Sequence, residues 1–344
     1  MTAIAIIGQG YMGRTHSKAW SNLGYGDQIK YVCTPRPGQP LEHAPRAEFV
    51  TDLDVVLADR DVDIISVCTP TPTHADIAIQ ALRAGKNVLL EKPIALTVAD
   101  GLAIQAAAVE SGRILMIAQV VRFFEGYRLL REDAQAGALG SILSARARRI
   151  MNKPNWAPWM DDESQSGGVV VDVSIHDFDQ MNLFLGEPVA VTCRSQARLG
   201  PFETTIEYRD GGIGQVLSFA NMPQGVPFTS SIELLGSKGF AEYQFSDCSP
   251  TEQSGSGNPL SGANTYRLAA AHSTVSAIVD DEPYTRQAEY FLRSVKEVQQ
   301  PESCTTASAI QALEVSLAAK QSLKTGDRVQ LDSQVPDANS RLLQ

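Results

Sequence analysis

The sequence contains few cysteines, and none of them has the spacing of a zinc site. There is no C-x-x-C pair and no Cys/His ligand spacing, and an odd number of cysteines argues against a complete disulfide framework. We therefore expect a reducing compartment, no structural zinc and no other metal site. The five cysteines are Cys33, Cys68, Cys193, Cys248 and Cys304.

Positive charge and long apolar runs are also lacking. With 29 Lys and Arg residues against 39 Asp and Glu residues, the formal net charge is -10, which disfavours nucleic acid or an anionic membrane as a partner. It also favours a neutral substrate, unless a local basic pocket reverses the sign. No apolar run reaches the ~18 residues needed to span a bilayer. Met1 leads straight into a predicted strand, so we expect no signal peptide and a cytoplasmic protein.

The chain opens with a strand, a glycine-rich turn and a helix. An apolar run leads into the sequence GQGYMG and then into a helix-forming segment, which is the setting in which G-x-G-x-x-G predicts a dinucleotide site. The first glycine permits the tight turn, the second lets the backbone approach a pyrophosphate, and the third lets helix and strand pack closely. Together with the N–H groups at the start of the helix, the cofactor-binding residues predicted here are Gly8, Gly10, Tyr11, Met12 and Gly13.

The end of the second strand favours NADP over NAD. An acid is expected at this point if the ribose 2′-hydroxyl of NAD is to be bound, but the chain has Thr34 and Arg36 there. An arginine matches the geometry of a 2′-phosphate and lacks the repulsion of a carboxylate. The alternative is that Arg36 is an ordinary cation in a loop made irregular by prolines.

Strand and helix patterns alternate through the first 120 residues. This βαβα order predicts a mostly parallel sheet with helices on both faces. Thr69 and Pro70 follow one strand and precede a helix that begins at His74. We expect this loop to line the cofactor cleft, with His74 capping or packing rather than reacting.

The run Val88-Leu89-Leu90-Glu91-Lys92-Pro93 places a lysine at the carboxyl end of a buried strand. Ligands of open α/β sheets bind in the crevice outside these strand ends, and a lysine beside a carboxylate can hold a substrate hydroxyl. Glu91 and Lys92 are therefore predicted at the cofactor and substrate site. The alternative is a surface lysine before a turn.

A second reactive pair lies in the segment Gly167–Leu185, which is predicted to be one helix ended by Gly186. Asp172 and His176 are four residues apart, a spacing that puts two side chains on one helix face about 5–6 Å apart at Cβ. The carboxylate could then orient the imidazole while both face a ligand. The alternative is a structural Asp/His pair near a domain interface.

Four features together resemble the Gfo/Idh/MocA family of NAD(P)-dependent oxidoreductases across nearly the whole chain. They are the opening glycine turn, the loop from Thr69 to His74, the Glu91-Lys92-Pro93 turn and the segment from Gly167 to His176. By resemblance, Lys92 is the lysine of the E-K-P motif, and Asp172 and His176 belong to the D-x-x-x-H motif. The resemblance implies an α/β fold in which an N-terminal Rossmann domain precedes a C-terminal α+β domain with an open, mostly antiparallel sheet. We place these domains at residues 1–120 and 121–344.

Four further residues are candidate substrate contacts. By resemblance, Arg122 borders the sugar site and Tyr284 comes near the substrate, although a hinge and core packing are the respective alternatives. Trp156 and Trp159 lie in a loop with prolines and polar residues, where indole rings can stack on apolar sugar faces. Packing of this loop on its own domain explains the tryptophans equally well.

After Gly186 the hydrophobic period becomes two, with glycine-rich turns between the runs. This pattern predicts strands linked by hairpins, with one apolar and one polar face. A polar face of this kind suits contact with another protein, so we expect a homodimer or homotetramer formed through the C-terminal sheet.

The expected reaction is reversible hydride transfer between nicotinamide C4 and a secondary alcohol of a sugar, inositol or related polyol. His176 would take the hydroxyl proton, Lys92 would stabilise the developing alkoxide, and Asp172 would bind a neighbouring hydroxyl or orient His176. Two alternatives remain on the same fold: an NAD-dependent glycoside hydrolase and a non-catalytic NAD(P)-binding regulator. Whether Lys92 or His176 is the base is left open.

Overall fold

The computed structural model describes residues 2–36, 38–152, 162–197, 199–247, 264–278 and 281–332. Contacts divide the chain into two compact units. The first contains the residues up to Phe123 together with Glu282–Ile310, and the second contains Phe124–Asp281 together with the residues from Gln311 onward.

The described residues form fifteen strands, which belong to two sheets. In chain order they are β1 (Ala3–Ile7), β2 (Ile29–Cys33), β3 (Glu48–Val50), β4 (Val62–Val67), β5 (Asn87–Glu91), β6 (Leu115–Ala118), β7 (Ile142–Asn152), β8 (Pro188–Arg194), β9 (Phe202–Tyr208), β10 (Ile213–Met222), β11 (Phe228–Gly236), β12 (Phe240–Asp247), β13 (Asn264–Ala269), β14 (Ser273–Ala277) and β15 (Val329–Gln330).

Ten α-helices connect or cover these strands in the described ranges. They are α1 (Tyr11–Asn22), α2 (Leu53–Ala58), α3 (His74–Arg83), α4 (Val98–Ser111), α5 (Glu125–Gln135), α6 (Glu163–Ser166), α7 (Val169–Asp172), α8 (Ile175–Leu185), α9 (Pro283–Glu297) and α10 (Thr306–Thr325). Short 3₁₀ turns lie at Gly26–Gln28, Thr71–Thr73 and Val120–Phe123.

The first unit contains a six-stranded parallel sheet in the order β3-β2-β1-β4-β5-β6. Chain order reverses beside β1, so β1 and β4 flank a topological switch point, where ligands of such sheets bind. Because all six strands are parallel, the turns that follow β1, β4 and β5 open on the same edge. The predicted Rossmann domain is confirmed by this topology.

Local signals explain where the helices of this unit begin and end. In α4, the hydroxyl of Thr97 accepts the N–H of Asp100 at 3.1 Å and also donates to its carboxylate, a capping arrangement at the N-terminus. Gly112 ends α4 in the left-handed conformation, with φ +64, which glycine adopts without strain. Helix α2 is capped in a similar way by Asp52.

The core of the first unit includes residues from far along the chain. Ala288, Phe291 and Leu292 on α9 belong to the same buried cluster as Trp20, Ile4 and Ile6. The domain boundary after residue 120 stays a prediction from sequence. The structure adds that a late segment packs with the early one, because α9 turns an apolar face to that core.

The second unit contains a nine-stranded sheet in the order β14-β13-β12-β11-β7-β10-β9-β8-β15. All neighbouring pairs are antiparallel except β7 with β10. The expected mostly antiparallel sheet is therefore confirmed, and the Rossmann-plus-α+β fold class with it. Helix α8 packs against β7 and β10 in this unit.

Candidate functional site

The glycine turn after β1 has the shape that its sequence predicts. Gly8 has φ +99, and a Cβ there would lie 2.6 Å from the carbonyl oxygen of Cys68. A Cβ on Gly13 would lie 2.1 Å from the carbonyl oxygen of Gly8. Any larger side chain would therefore push helix α1 and the β4 loop away from the turn. Gly10 differs, because a Cβ there would meet nothing within 4 Å.

This open space lies at an N-terminus that has no side-chain cap. Gly10 precedes α1, no side chain among the described residues caps this end of the helix, and a helix N-terminus of this kind attracts phosphate. Tyr11 is 55% exposed beside it, whereas Met12 packs against the core. The turn thus fits a dinucleotide: Gly8 and Gly13 provide the close packing, and Gly10 and the start of α1 would face the pyrophosphate.

At the end of β2, Thr34 is buried and Arg36 is exposed. The Thr34 N–H donates to the carbonyl oxygen of Val50 at 3.0 Å, which holds this residue beside β3. Arg36 follows β2, at the same edge of the sheet as the glycine turn that follows β1.

His74 links two loops of the first unit. It is 1% exposed, and its ring nitrogens lie 2.8 Å from the carbonyl oxygen of Pro93 and 2.9 Å from that of Thr69. Burial lowers the pKa of this imidazole, and its contacts with the two carbonyls act in the opposite direction. Since both nitrogens face backbone, any contribution of His74 to cofactor binding would act through the Thr69–Pro70 loop. Pro70 itself is exposed.

Glu91 and Lys92 lie at the carboxyl end of β5, next to β4 in the sheet. Glu91 is 4% exposed and bonds to the imidazole of His16, with 2.9 Å between Oε1 and Nε2. Its other carboxylate oxygen accepts the N–H of Lys92 at 3.2 Å. The carboxylate is thus engaged within the protein, and Lys92 beside it is half-buried.

The predicted substrate contacts fall in different surroundings. Arg122 is 2% exposed and lies in the 3₁₀ turn that follows β6. Tyr284 is partly buried and packs against the core of the first unit. Trp156 and Trp159 lie outside the described residues.

The predicted single helix over Gly167–Leu185 is wrong. The structure has α7, which ends at Asp172, and α8, which begins at Ile175. Between them the N–H of Ser174 bonds to the carbonyl oxygen of Val169, five residues back, which widens the turn. Asp172 and His176 therefore lie on two successive helices, and the expected spacing of neighbours on one helix face does not apply.

An ion pair holds α8 against the sheet of the second unit. Arg149 on β7 donates two hydrogen bonds of 2.9 Å to the carboxylate of Asp177, and both residues are buried, at 6% and 0% exposure. Asp177 directly follows His176, so this two-pronged contact fixes the start of α8. Tyr127 lies beside the pair and bonds to Ser230 at 3.1 Å.

Asp172 lines a cleft of about 510 Å³ within the second unit. Its walls carry both polar side chains and apolar groups, and the amine of Lys320 donates to the carbonyl oxygen of Gly167 at 2.7 Å. Other residues that line the cleft include Gly168, Ser195, Gln196, Leu199 and Asn221. This lining is suited to a small hydroxylated molecule.

Several residues that shape these features were missed in the sequence. His16 lies in the middle of α1 and Lys320 in α10, and both look like ordinary surface residues in the sequence. For His16 a signal was available, because it follows Gly13 by three residues and so lies on the face of α1 that packs on β1.

The described residues contain neither a membrane-spanning helix nor a cluster of metal ligands. No helix in those ranges combines the length and the apolar character needed to cross a bilayer. The same ranges contain no group of three or more His, Cys, Asp or Glu side chains that could hold a metal ion.

Comparison with known proteins shows what the chain is similar to. Residues 2–119 match the model for the "Oxidoreductase family, NAD-binding Rossmann fold", and residues 127–242 match the model for the "GFO/IDH/MocA C-terminal domain". Scyllo-inositol 2-dehydrogenase (NAD(+)) of Bacillus subtilis (strain 168) is 27% identical over 95% of this chain and 96% of its own length. The 2,7-anhydro-N-acetylneuraminate hydratase of Escherichia coli (strain K12) is 30% identical over 56% of this chain and 52% of its own length.

Solved structures have the same fold. The crystal structure of GenD2 from gentamicin A biosynthesis, in complex with NAD, superposes with a TM-score of 0.81 at 24% identity and covers 96% of this chain and 97% of its own. Family models match both halves of this chain, and together they cover more than half of it. The chain therefore belongs to the Gfo/Idh/MocA oxidoreductase family, and residues 2–119 are its NAD-binding Rossmann domain.

Proposed function

We propose that this protein is an NAD(P)-dependent dehydrogenase that oxidises a secondary alcohol of an inositol, a sugar or a related polyol in a reversible reaction. The observation that carries the proposal is the position of Lys92. It follows β5 at the same sheet edge as the glycine turn after β1, within one parallel sheet. An amine at that edge can meet a substrate hydroxyl beside a bound dinucleotide. The similarity to scyllo-inositol 2-dehydrogenase over nearly the whole chain supports a polyol substrate.

The proposed catalytic residues are Lys92, Asp172 and His176. A bound nicotinamide would supply the hydride acceptor. As hydride leaves the carbinol carbon, His176 takes the hydroxyl proton on an imidazole nitrogen, so that the alcohol loses one hydride and one proton and becomes a ketone. The Lys92 ammonium donates to the reacting oxygen and stabilises its developing negative charge. Asp172 binds a neighbouring hydroxyl or orients His176.

Substrate recognition is proposed for the cleft that Asp172 lines. Asn221 and Gln196 offer amide groups, and Leu199 offers an apolar surface. A polyol has both hydroxyl groups and apolar C–H faces, so this combination suits it. Arg122, Trp156, Trp159 and Tyr284 remain proposed contacts, by resemblance or by residue type.

The function is tested by the absorbance of reduced nicotinamide. Purified protein is mixed with NAD or NADP and with a panel of inositols, aldoses, glycosides and diols. Growth of the signal with one polyol is the expected result, and it identifies the substrate class and the cofactor together. No signal with any alcohol, although the protein binds cofactor, would reject the dehydrogenase proposal.

A second candidate is suggested by the hydratase relative. In a reaction of that kind substrate would be converted without net production of reduced nicotinamide. Chromatography of the sugar products in the same assays distinguishes the two, because a dehydrogenase forms one reduced cofactor for each ketone and a hydratase forms none.

We also propose that NADP is preferred to NAD, because Thr34 and Arg36 stand where an acid would bind a free ribose 2′-hydroxyl. The Arg36→Ala variant is expected to weaken NADP binding by about 1.5–3 kcal/mol, the contribution of a hydrogen bond to a charged group, and to leave NAD nearly unchanged. Dissociation constants from titration calorimetry measure both. Arg46→Ala is a matched control, because Arg46 is also exposed and pairs with Asp27. Equal weakening of both cofactors would remove the argument for NADP.

Association of identical copies is proposed through the outward face of the second unit's sheet. Leu235 on β11 and Ile213 on β10 both pair with Ser144 on β7, and they are 48% and 45% exposed. On the same face, Arg146 on β7 lies beside Glu233 on β11. In a symmetric contact, Arg146 of one copy can pair with Glu233 of the other. Ile213→Asp with Leu235→Asp is expected to lower the mass measured by light scattering to that of a monomer. Leu143→Asp is the control, because Leu143 is also exposed on β7, and it should leave the mass unchanged. An unchanged mass in the Ile213→Asp, Leu235→Asp double variant would argue against association through this face.

A further inference from the structure

A buried cluster of titratable side chains lies under the turn that carries Lys92. His16, Cys68 and Glu91 are 2%, 8% and 4% exposed, and they come from α1, from the residue that follows β4, and from β5. The imidazole Nε2 of His16 lies 2.9 Å from Oε1 of Glu91. The proposed chemistry uses none of the three, so their burial calls for an explanation.

The His16 imidazole and the Glu91 carboxylate form a buried ion pair when the imidazole is protonated. Burial by itself lowers the pKa of His16, but contacts with Cys68 and Glu91 outweigh burial and raise this pKa to about 10. Burial raises the pKa of the Cys68 thiol, and the neighbouring His16 acts in the opposite direction. Removing one partner of a buried pair leaves the other charge uncompensated, which is strongly unfavourable.

The carboxylate of Glu91 divides its two oxygens between the pair and the turn. Oε1 faces His16, and Oε2 accepts the backbone N–H of Lys92 at 3.2 Å. The next residue, Pro93, is held by His74 through its carbonyl oxygen at 2.8 Å. The Lys92 turn is thus attached on both sides to buried imidazoles, and one of them belongs to the helix that starts at the glycine turn.

We propose that His16 is a positioning residue, which acts through Glu91 to hold the Lys92 amine at the edge of the sheet. Because His16 and the proposed pyrophosphate-binding N–H groups belong to the same helix, α1 sets the place of the lysine relative to the dinucleotide. The proposal rests on the proposed function only in taking Lys92 as catalytic.

The test compares His16→Ala, His16→Gln and Glu91→Gln with the control Ser66→Ala. Ser66 accepts a hydrogen bond of 3.0 Å from the indole N–H of Trp20, so the control removes another buried polar contact between α1 and the sheet. We expect His16→Ala and Glu91→Gln to lower kcat about tenfold to a hundredfold, as misplacement of a reacting group does. Cofactor dissociation constants should stay within about twofold. His16→Gln retains an amide donor and should recover part of the lost activity.

A double-mutant cycle separates positioning from general destabilisation. In a Lys92→Ala background, His16→Ala should lower kcat by less than about twofold, because its effect is transmitted through a lysine that is no longer present. The same reduction in kcat with and without Lys92 would overturn the proposal. If His16→Ala does not fold, the cycle is run with His16→Gln and Glu91→Gln.

An independent measurement needs no turnover. Hydrogen exchange of the Lys92 amide should be about tenfold faster or more in His16→Ala and Glu91→Gln than in the wild type, because the acceptor Oε2 is no longer held. In Ser66→Ala it should be unchanged. Unchanged exchange in all variants would refute the positioning role. Faster exchange in a protein that oxidises no alcohol would leave the positioning intact and reject the proposed function instead.

Discussion

Replacement of His176 by alanine is expected to lower kcat by about 10²–10⁴-fold, the usual contribution of a general acid or base. The cofactor dissociation constants should stay within about twofold, because His176 lies on α8 in the second unit and the glycine turn belongs to the first. The variant should also lose the limb of the pH–rate profile that belongs to the base. Stopped-flow and steady-state measurements of nicotinamide absorbance give both quantities.

Two controls make the His176 result specific. His43→Ala removes a partly exposed histidine from the first unit and should leave kcat unchanged. Asp177→Asn disturbs the neighbouring ion pair with Arg149. It should lower the free energy of unfolding, and it should lower kcat less than His176→Ala does. If His176→Ala keeps more than about a third of the wild-type kcat, His176 is not the base.

The second large effect is expected from Lys92→Ala. Loss of an ammonium that stabilises the developing alkoxide should lower kcat by about 10²–10³-fold, again with little change in cofactor affinity. Lys92→Arg retains the cation but not the compact shape of an ammonium, so it should recover only part of the loss. The control is Lys30→Ala, because Lys30 lies on β2 and pairs with Asp59 at 2.6 Å away from the proposed site. A Lys92→Ala variant with near wild-type kcat would contradict the proposed site.

The two variants together identify the base. If His176 takes the proton, His176→Ala abolishes the corresponding limb of the pH–rate profile and Lys92→Ala only lowers its height. If Lys92 takes the proton, Lys92→Ala abolishes that limb of the pH–rate profile and His176→Ala only lowers its height. The comparison works because each variant removes one titratable group and leaves the other in place.

The parallel sheet of the first unit could be predicted from sequence because its signals are local. The strand, the glycine turn and the start of α1 occupy neighbouring residues, and the phosphate-binding geometry follows from Gly8, Gly10 and Gly13 alone. The E-K-P turn is likewise continuous in sequence. What could not be predicted was the partner of Glu91, since His16 lies 75 residues away and the contact depends on how the strands are ordered in the sheet.

The break between α7 and α8 has a different cause. Val169, Val170, Val171 and Val173 are β-branched residues with low helix propensity, and the hydroxyl of Ser174 also contacts the carbonyl oxygen of Val169 at 3.4 Å. Local competition of this kind distorts a helix without changing its hydrophobic pattern. The regular spacing of Asp172 and His176 was therefore a reasonable prediction that the backbone does not follow.

Strand β7 was missed because its buried face carries little hydrophobicity. The inward positions are Ala145, Ala147 and Arg149, at 1%, 6% and 6% exposure. Two alanines and a charged residue do not produce an apolar period of two, and Arg149 is buried only because Asp177 on α8 neutralises it. A strand whose core face depends on a partner elsewhere in the chain is invisible to pattern analysis.

The late segment Glu282–Ile310, which completes the core of the first unit, has a consequence for how the protein is made. The ribosome must add all of Phe124–Asp281 after the sixth strand has emerged before Phe291 can reach Trp20. At roughly 5–20 residues per second this takes on the order of ten seconds, during which the apolar surface that α9 covers stays open to solvent or to a chaperone. The nucleotide-binding unit therefore cannot complete its core until Phe124–Asp281 of the second unit have been synthesised, and a fragment that ends before α9 should be unstable and prone to aggregate.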